Sequence, residues 1–191
     1  TQTIDEQTFA AFDSHISLLQ EQGLTFKDNC LRTWCFVHDI DRYYAGFVSG
    51  RNRLFAREEL SKETHFVAST TVGGSFACDA ELIGVDFLSV DNDYRGAIKY
   101  LQASEYLNRT EEDEMAFERG AMVDVADERY FFISGITSID KQGEIVHSGD
   151  VVTQAGRIFL NVQELLKDGC GSLADLQSVI IYLRDIADYV T

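Results

Sequence analysis

The chain has 191 residues, 45% of them hydrophobic and 25% charged, the make-up of one large or two small globular domains with a real core. It carries 32 acidic against 16 basic residues, a net charge of −16, whereas nucleic-acid binding draws its affinity from lysine and arginine displacing counterions. The same sign argues against an anionic membrane surface, and no apolar run approaches the roughly 20 residues of a membrane span.

The first predicted element is a helix over about residues 5–22. Phe9, Phe12, Ile16 and Leu19 recur at helical spacing, Thr3 and Glu6 have the spacing of a capping box, and Gly23 supplies a stop. A strand follows over about 30–38, with Trp34, Phe36 and Val37. A second helix starts at Asp39 as N-cap and carries a stripe of Ile40, Tyr43, Tyr44, Phe47, Val48, Arg51, Leu54 and Phe55. Tyr43 and Tyr44 read as core, and the densest basic stretch, Arg51, Arg53 and Arg57, lies on the same helix. Two strands are predicted over 65–72 and 77–90, turning at Gly73 and Gly74, with Cys78 as a small core residue.

Residues 91–114 are polar and acidic, and 97–107 fits either a short helix or an extended connector. Strands over 121–125 and 129–136 form a hairpin around 126–128, and a short strand over 144–147 follows a loop through 140–143. Asp150 caps a long helix whose apolar side holds Val152, Ala155, Ile158, Phe159, Val162, Leu165 and Leu166, stopped by Gly169 and Gly171. A last strand covers about 176–183.

Cys30, Cys35, Cys78 and Cys170 form no CxxC pair and the four histidines no HxxxH spacing, so neither a metal site nor a cofactor is expected. Free thiols of a cytoplasmic protein are the expectation. Residues 1–6 lack the basic, apolar and cleavage regions of a secretory signal, and the initiator methionine is absent, as in a processed or excised chain. There is no proline, and nothing in the sequence accounts for that.

An internal repeat runs through the chain. Residues 18–44 and 165–190 share a Leu-Leu pair, a glycine stop, a strand, then Asp-Ile and a tyrosine. The repeated unit is helix, strand and the start of another helix. Its order makes the chain the end of one domain joined to the beginning of the next.

Residues 131–189, with Ser134-Gly135, Asp140, Gly143, Gly149-Asp150, Gln154 and Asp185 in order, resemble the N-terminal two-thirds of RidA/YjgF/UK114 proteins. Residues 68–87, ASTTVGGSFACDAELIGVDF, are similar to that family's C-terminal strand pair. The tandem order, with AFERGAMV over 116–123 and SGDVVTQ over 148–154, also resembles chorismatases, which contain two such domains. The resemblance implies α+β units like chorismate mutase from Bacillus, with helices on one face of a mixed sheet. It further implies a barrel-like trimer or pseudo-trimer with ligand clefts between units. It divides the chain into the C-terminal part of a first unit (1–90), a connector (91–116) and the N-terminal part of a second unit (117–191).

In the family's deaminases an arginine before Thr-Val-Gly grips the substrate carboxylate, and a glutamate on the last strand positions the attacking water. By resemblance the arginine's place is taken by Ser69, which can donate one hydrogen bond but supplies no charge, and the glutamate's by Glu81. Phe117 stands where the family has a tyrosine, Gly135 keeps a close backbone approach, and Arg119 is a substitute carboxylate contact. The plainer readings make Arg119 a surface strand residue and Glu81 a solvent-facing carboxylate. Ser134 has no adjacent histidine to activate it and is not a catalytic serine.

The implied function is hydrolysis of a reactive imine, enamine or related small carboxylate, with Glu81 catalytic and Ser69, Phe117, Arg119 and Gly135 binding. The alternatives are a ligand-binding or structural member without turnover, which the missing arginine favours, or a chorismatase-like hydrolase. A translation-inhibitor or endoribonuclease role is opposed by the net charge. The expected partners are a small carboxylate and further copies of the chain, with neither nucleic acid nor membrane.

Overall fold

A computed structural model describes residues 2–94, 96–108 and 116–190. α1 (Ile4–Glu21) opens on the expected capping box: the Glu6 amide donates to the Thr3 hydroxyl at 3.3 Å, and the Thr3 amide donates to the Glu6 carboxylate at 2.9 Å. A single turn, α2 (Phe26–Asn29), leads into β1 (Cys30–His38), α3 (Ile40–Arg57), β2 (Ala68–Gly74) and β3 (Ile83–Ser89). β1 is the middle strand, parallel to β2 and antiparallel to β3. α3 is the crossover that parallel pairing needs. Asp39 does not cap α3 with its side chain. It sits at φ 40°, in the left-handed region that aspartate tolerates, and turns the chain from β1 into α3.

Side chains alternate along β1. Cys35 and Val37 face α1 and α3, where Phe12, Phe26, Phe47, Leu54 and Phe55 close the main core. Arg32, Trp34 and Phe36 point to the other face. The two helices touch closely at Gly50, where a Cβ would fall 2.5 Å from the Asp5 carbonyl oxygen.

The second sheet holds β4 (Lys99–Tyr100), β5 (Gly120–Val125) and β6 (Glu128–Ile133) in sequential antiparallel order, followed by α4 (Val151–Asp168). Residues 97–107 are thus neither a helix nor a free connector, because Lys99 and Tyr100 pair with Met122 and Ala121. Part of the expected connector, residues 109–115, lies outside the described residues. The Asp150 carboxylate caps α4, accepting from the Thr153 amide at 3.0 Å. The two sheets join where Ala68 bridges Glu118, the Glu118 amide donating to the Val67 carbonyl at 3.1 Å. Leu31, Ala68, Ala121 and Val123 fill that junction.

Four expectations are corrected. β3 starts at Ile83, so residues 75–82 form a loop and the exposed Cys78 is not core. The predicted strand over 144–147 reduces to one bridge between Ile139 and Ile145. The apolar side of α4 is buried only near its end, at Leu165 and Leu166, while Val152 and Phe159 stay exposed. Residues 176–183 form no strand and run extended, with Val179, Ile180, Ile181 and Tyr182 between 48% and 68% exposed. Despite their strand-forming composition they join no ladder among the described residues. Arg184 ends the segment by pairing with Asp41 at the start of α3, Nη2 to Oδ2 at 2.5 Å. Among the described residues no helix is long and apolar enough to cross a membrane.

Burial in the core pushes the Cys30 thiol up from its ordinary 9.0 to about 12. The folded chain therefore keeps a proton that the unfolded chain releases above pH 9. The contribution is intact below that pH and is lost as pH rises toward 12. Thermal midpoints across this window are expected to fall with pH, and less steeply in Cys30→Ala.

Candidate functional site

The outer edge of β2 opens on a cleft of about 1670 Å³. Arg32 and Trp34 of β1, Tyr44 and Arg51 of α3, the Ser134-Gly135 step beyond β6, and Ile158, Phe159 and Val162 of α4 line it. The extended segment from Leu176 to Tyr182 crosses it.

Arg32 anchors the cleft. It is 3% exposed and lies over the Trp34 ring, 4.9 Å from the centroid. Its Nη2 donates to the Thr70 hydroxyl, and its Nη1 donates to Ser134 Oγ at 3.2 Å. Ser134 is a junction: Oγ donates to the Glu118 carbonyl and accepts from the Ser69 amide at 2.9 Å as well as from Arg32. One donor and two acceptor places are thereby all used. Gly135 continues the contact, its amide donating to the Ser69 carbonyl at 3.3 Å, and a Cβ at Gly135 would meet the Thr70 methyl at 3.2 Å.

Among the described residues no carboxylate pairs with Arg32. Burial brings its pKa down to about 10, so it stays charged at neutral pH. A buried guanidinium held by neutral hydroxyls is costly without a counter-charge. An anion entering the cleft would supply that charge in the planar, two-toothed geometry guanidinium favours.

The residues singled out from sequence fall in different places. Ser69, Phe117, Arg119 and Gly135 line the cleft. The Ser69 hydroxyl is turned to the helix side of the sheet, where it accepts from Thr33 Oγ1 at 2.8 Å. Arg119 is buried rather than on the surface, with Nη2 donating to Asn108 Oδ1 at 2.7 Å and its guanidinium 5.9 Å from the Phe117 ring. Glu81 lies on the exposed loop before β3, outside the cleft lining. Tyr44, expected in the core, is 43% exposed and faces the cleft.

Sequence reasoning did not single out Arg32, Thr70 or Trp34. The signal was a lone arginine inside the apolar run Leu31 to Val37. Among the described residues no group of three or more His, Cys, Asp or Glu side chains could hold a metal ion.

No family model matches the sequence. The 3-aminoacrylate deaminase RutC of Acinetobacter baylyi is 36% identical over 58 residues, 30% of this chain and 46% of that protein. A RutC family protein of Pyrococcus abyssi is 36% identical over 61 residues, 31% of this chain and 47% of its own. A crystal structure of a chorismatase superposes with a TM-score of 0.69 at 21% identity, over 88% of this chain and 54% of that one. Over the 58- and 61-residue stretches the chain is similar to RutC-family proteins. Its α+β architecture, with helices and two small sheets, one mixed and one antiparallel, is that of the YjgF fold. The aligned parts span about half the length of these RidA/YjgF relatives and of the chorismatase.

Proposed function

We propose that this RidA/YjgF-like protein binds a small organic carboxylate in the cleft along β2, with Arg32 as the carboxylate contact. One observation carries the reading: a guanidinium 3% exposed, fixed by Thr70 and Ser134, with no acidic partner among the described residues. Arg32 supplies the positive charge that Ser69 lacks, from the neighbouring strand. The relative named as a 3-aminoacrylate deaminase favours a second reading, hydrolysis of a short enamine or imine carboxylate. Binding takes precedence because Glu81 lies outside the cleft lining. The cleft lining also holds Asp124, Asp127, Glu128 and Asp175, of which Asp124 pairs with Arg129, Glu128 accepts from the Tyr130 hydroxyl and Asp175 accepts from Ser172.

Trp34, the chain's single tryptophan, lies under Arg32 and reports the site directly. Titration with propionate is expected to change its fluorescence saturably, and calorimetry to give the same affinity. Arg32→Met is expected to weaken calorimetric binding roughly tenfold or more, the scale of one charge-assisted contact. Absence of saturable binding to the native chain, or undiminished binding by the folded variant, would overturn the proposal. Release of ammonia from 2-iminobutanoate generated in situ, lost in Glu81→Gln, would instead establish turnover that depends on Glu81.

A further inference from the structure

The apolar side of α4 stays open over its first three turns. Ala155, Ile158, Phe159 and Val162 recur at helical spacing, and none of them packs into a core cluster among the described residues. All four line the cleft that holds Arg32. The helix joins the core only further along, where Leu165 and Leu166 are buried.

The facing wall belongs to the first sheet. β1 and β2 run parallel with Trp34 opposite Thr70, so Arg32 and Trp34 share a face with Thr70 and Val72. The bond from Arg32 to Thr70 and its 4.9 Å stacking on Trp34 fix the cation to this wall. Trp34 and Val72 carry the wall on as apolar surface of the cleft.

One short strip of chain holds the two walls together. Ser134 Oγ accepts from Arg32 at 3.2 Å, and the Ile139 carbonyl accepts from Arg157 Nε at 2.9 Å and Asn161 Nδ2 at 3.1 Å, both on α4. The five residues from Ser134 to Ile139 reach at most about 18 Å, and Ile136 and Thr137 between them line the cleft. The cation and the apolar helix side therefore stand within the reach of one ligand.

A cleft with one recessed cation and apolar side chains around it suits a ligand of the same make-up, an acid whose body is hydrocarbon. Placing that body against α4 removes apolar surface from water on both partners. A protein surface fits less well, because Arg32 is 3% exposed and open only to a slender group. A second copy would also bring its own net charge of −16 to the contact.

We propose that the ligand is a free monocarboxylic acid with an extended apolar body, its carboxylate on Arg32 and its hydrocarbon between Trp34 and the open side of α4. This rests on the carboxylate reading given above and adds the ligand class to it. Phe159, 39% exposed on that side of α4, is then a specificity residue for the length of the acid.

The test measures propionate, butyrate, hexanoate and octanoate, each below its micelle concentration, by calorimetry and Trp34 fluorescence. Each methylene is expected to tighten binding about twofold, half the free energy of full burial because the cleft is open along one side. Octanoate is then expected to bind the native chain roughly thirtyfold more tightly than propionate. Octan-1-ol, which keeps the tail and lacks the charge, is expected to bind about tenfold more weakly than octanoate. In Phe159→Gln the octanoate-to-propionate ratio is expected to fall about threefold or more. A flat series with propionate bound would overturn this inference and leave the carboxylate reading standing. A flat series from a chain that sediments as a dimer would overturn it in favour of a second copy on this face. Octan-1-ol binding as tightly as octanoate would also overturn it, by detaching the tail from Arg32. If no acid binds the native chain, both readings fall together. The series of acids needs no variant, so it stands even where Phe159→Gln does not fold.

Discussion

Replacing Phe12 by alanine is expected to lower stability by about 3–5 kcal/mol, the range for emptying a buried aromatic site. The thermal midpoint should fall by roughly 10 °C in a chain of this size. Phe12 is fully buried, and its ring meets Phe26, Phe55 and Phe87 edge-on at 6.0, 6.0 and 5.1 Å. These rings come from α2, α3 and β3, so one side chain from α1 ties together every element of the first half except β1 and β2. Edge-to-face pairs add to the area term, and alanine forfeits both. The cluster lies on the helix side of the sheet, away from Arg32. Phe12→Ala should therefore bind propionate normally at temperatures where it remains folded. Thermal unfolding and calorimetry on the same preparation separate the two effects, and unchanged stability would refute the packing account.

Ser134→Ala is expected to have the opposite profile, with about 2–3 kcal/mol lost together with carboxylate affinity. Its oxygen serves the Glu118 carbonyl, the Ser69 amide and Arg32 Nη1 at once. Alanine leaves those groups without this contact in a buried place, where each unmet bond costs about 1–3 kcal/mol before relaxation. Arg32 would keep Thr70 and Trp34 but lose the contact that fixes its fork. Since Ser134 also carries the junction between the two sheets, the unfolding transition should lose cooperativity as it moves down. A variant with native affinity and native midpoint would show that Ser134 is not the junction described.

The elements written in local signals were legible in advance. The capping box set the start of α1, and the apolar run from Cys30 to His38 set β1 to the residue. What failed depended on partners. Ala80-Glu81-Leu82 alternates like a strand, yet β1 ends at His38, and its register pairs Val37 with Ile83. Nothing remains opposite Glu81, so the chain there becomes loop. Residues 176–183 read as a strand for the same local reason and pair with no strand among the described residues.

The site was legible in its glycine and serine positions but not in its charge. Ser69, Phe117, Arg119 and Gly135 all reach the cleft. Arg32 stands at an alternating position of β1, where an arginine ordinarily marks the solvent side. It becomes a buried cation only because the Ser134-Gly135 step closes over it from sixty-five residues beyond Ser69, a proximity no local pattern encodes.

The unpaired run from Gln177 to Leu183 has a consequence for the behaviour of concentrated solutions. It has no charged residue and no proline, and its apolar side chains are open to water. Such runs are prone to backbone pairing between molecules. What keeps copies apart is the net charge of −16, a repulsion that reaches about 30 Å at 0.01 M salt and about 10 Å at 0.1 M. Colloidal stability thus rests on long-range repulsion instead of a covered surface, so added salt should promote clouding, and a single lysine at Ile181 should restore clarity.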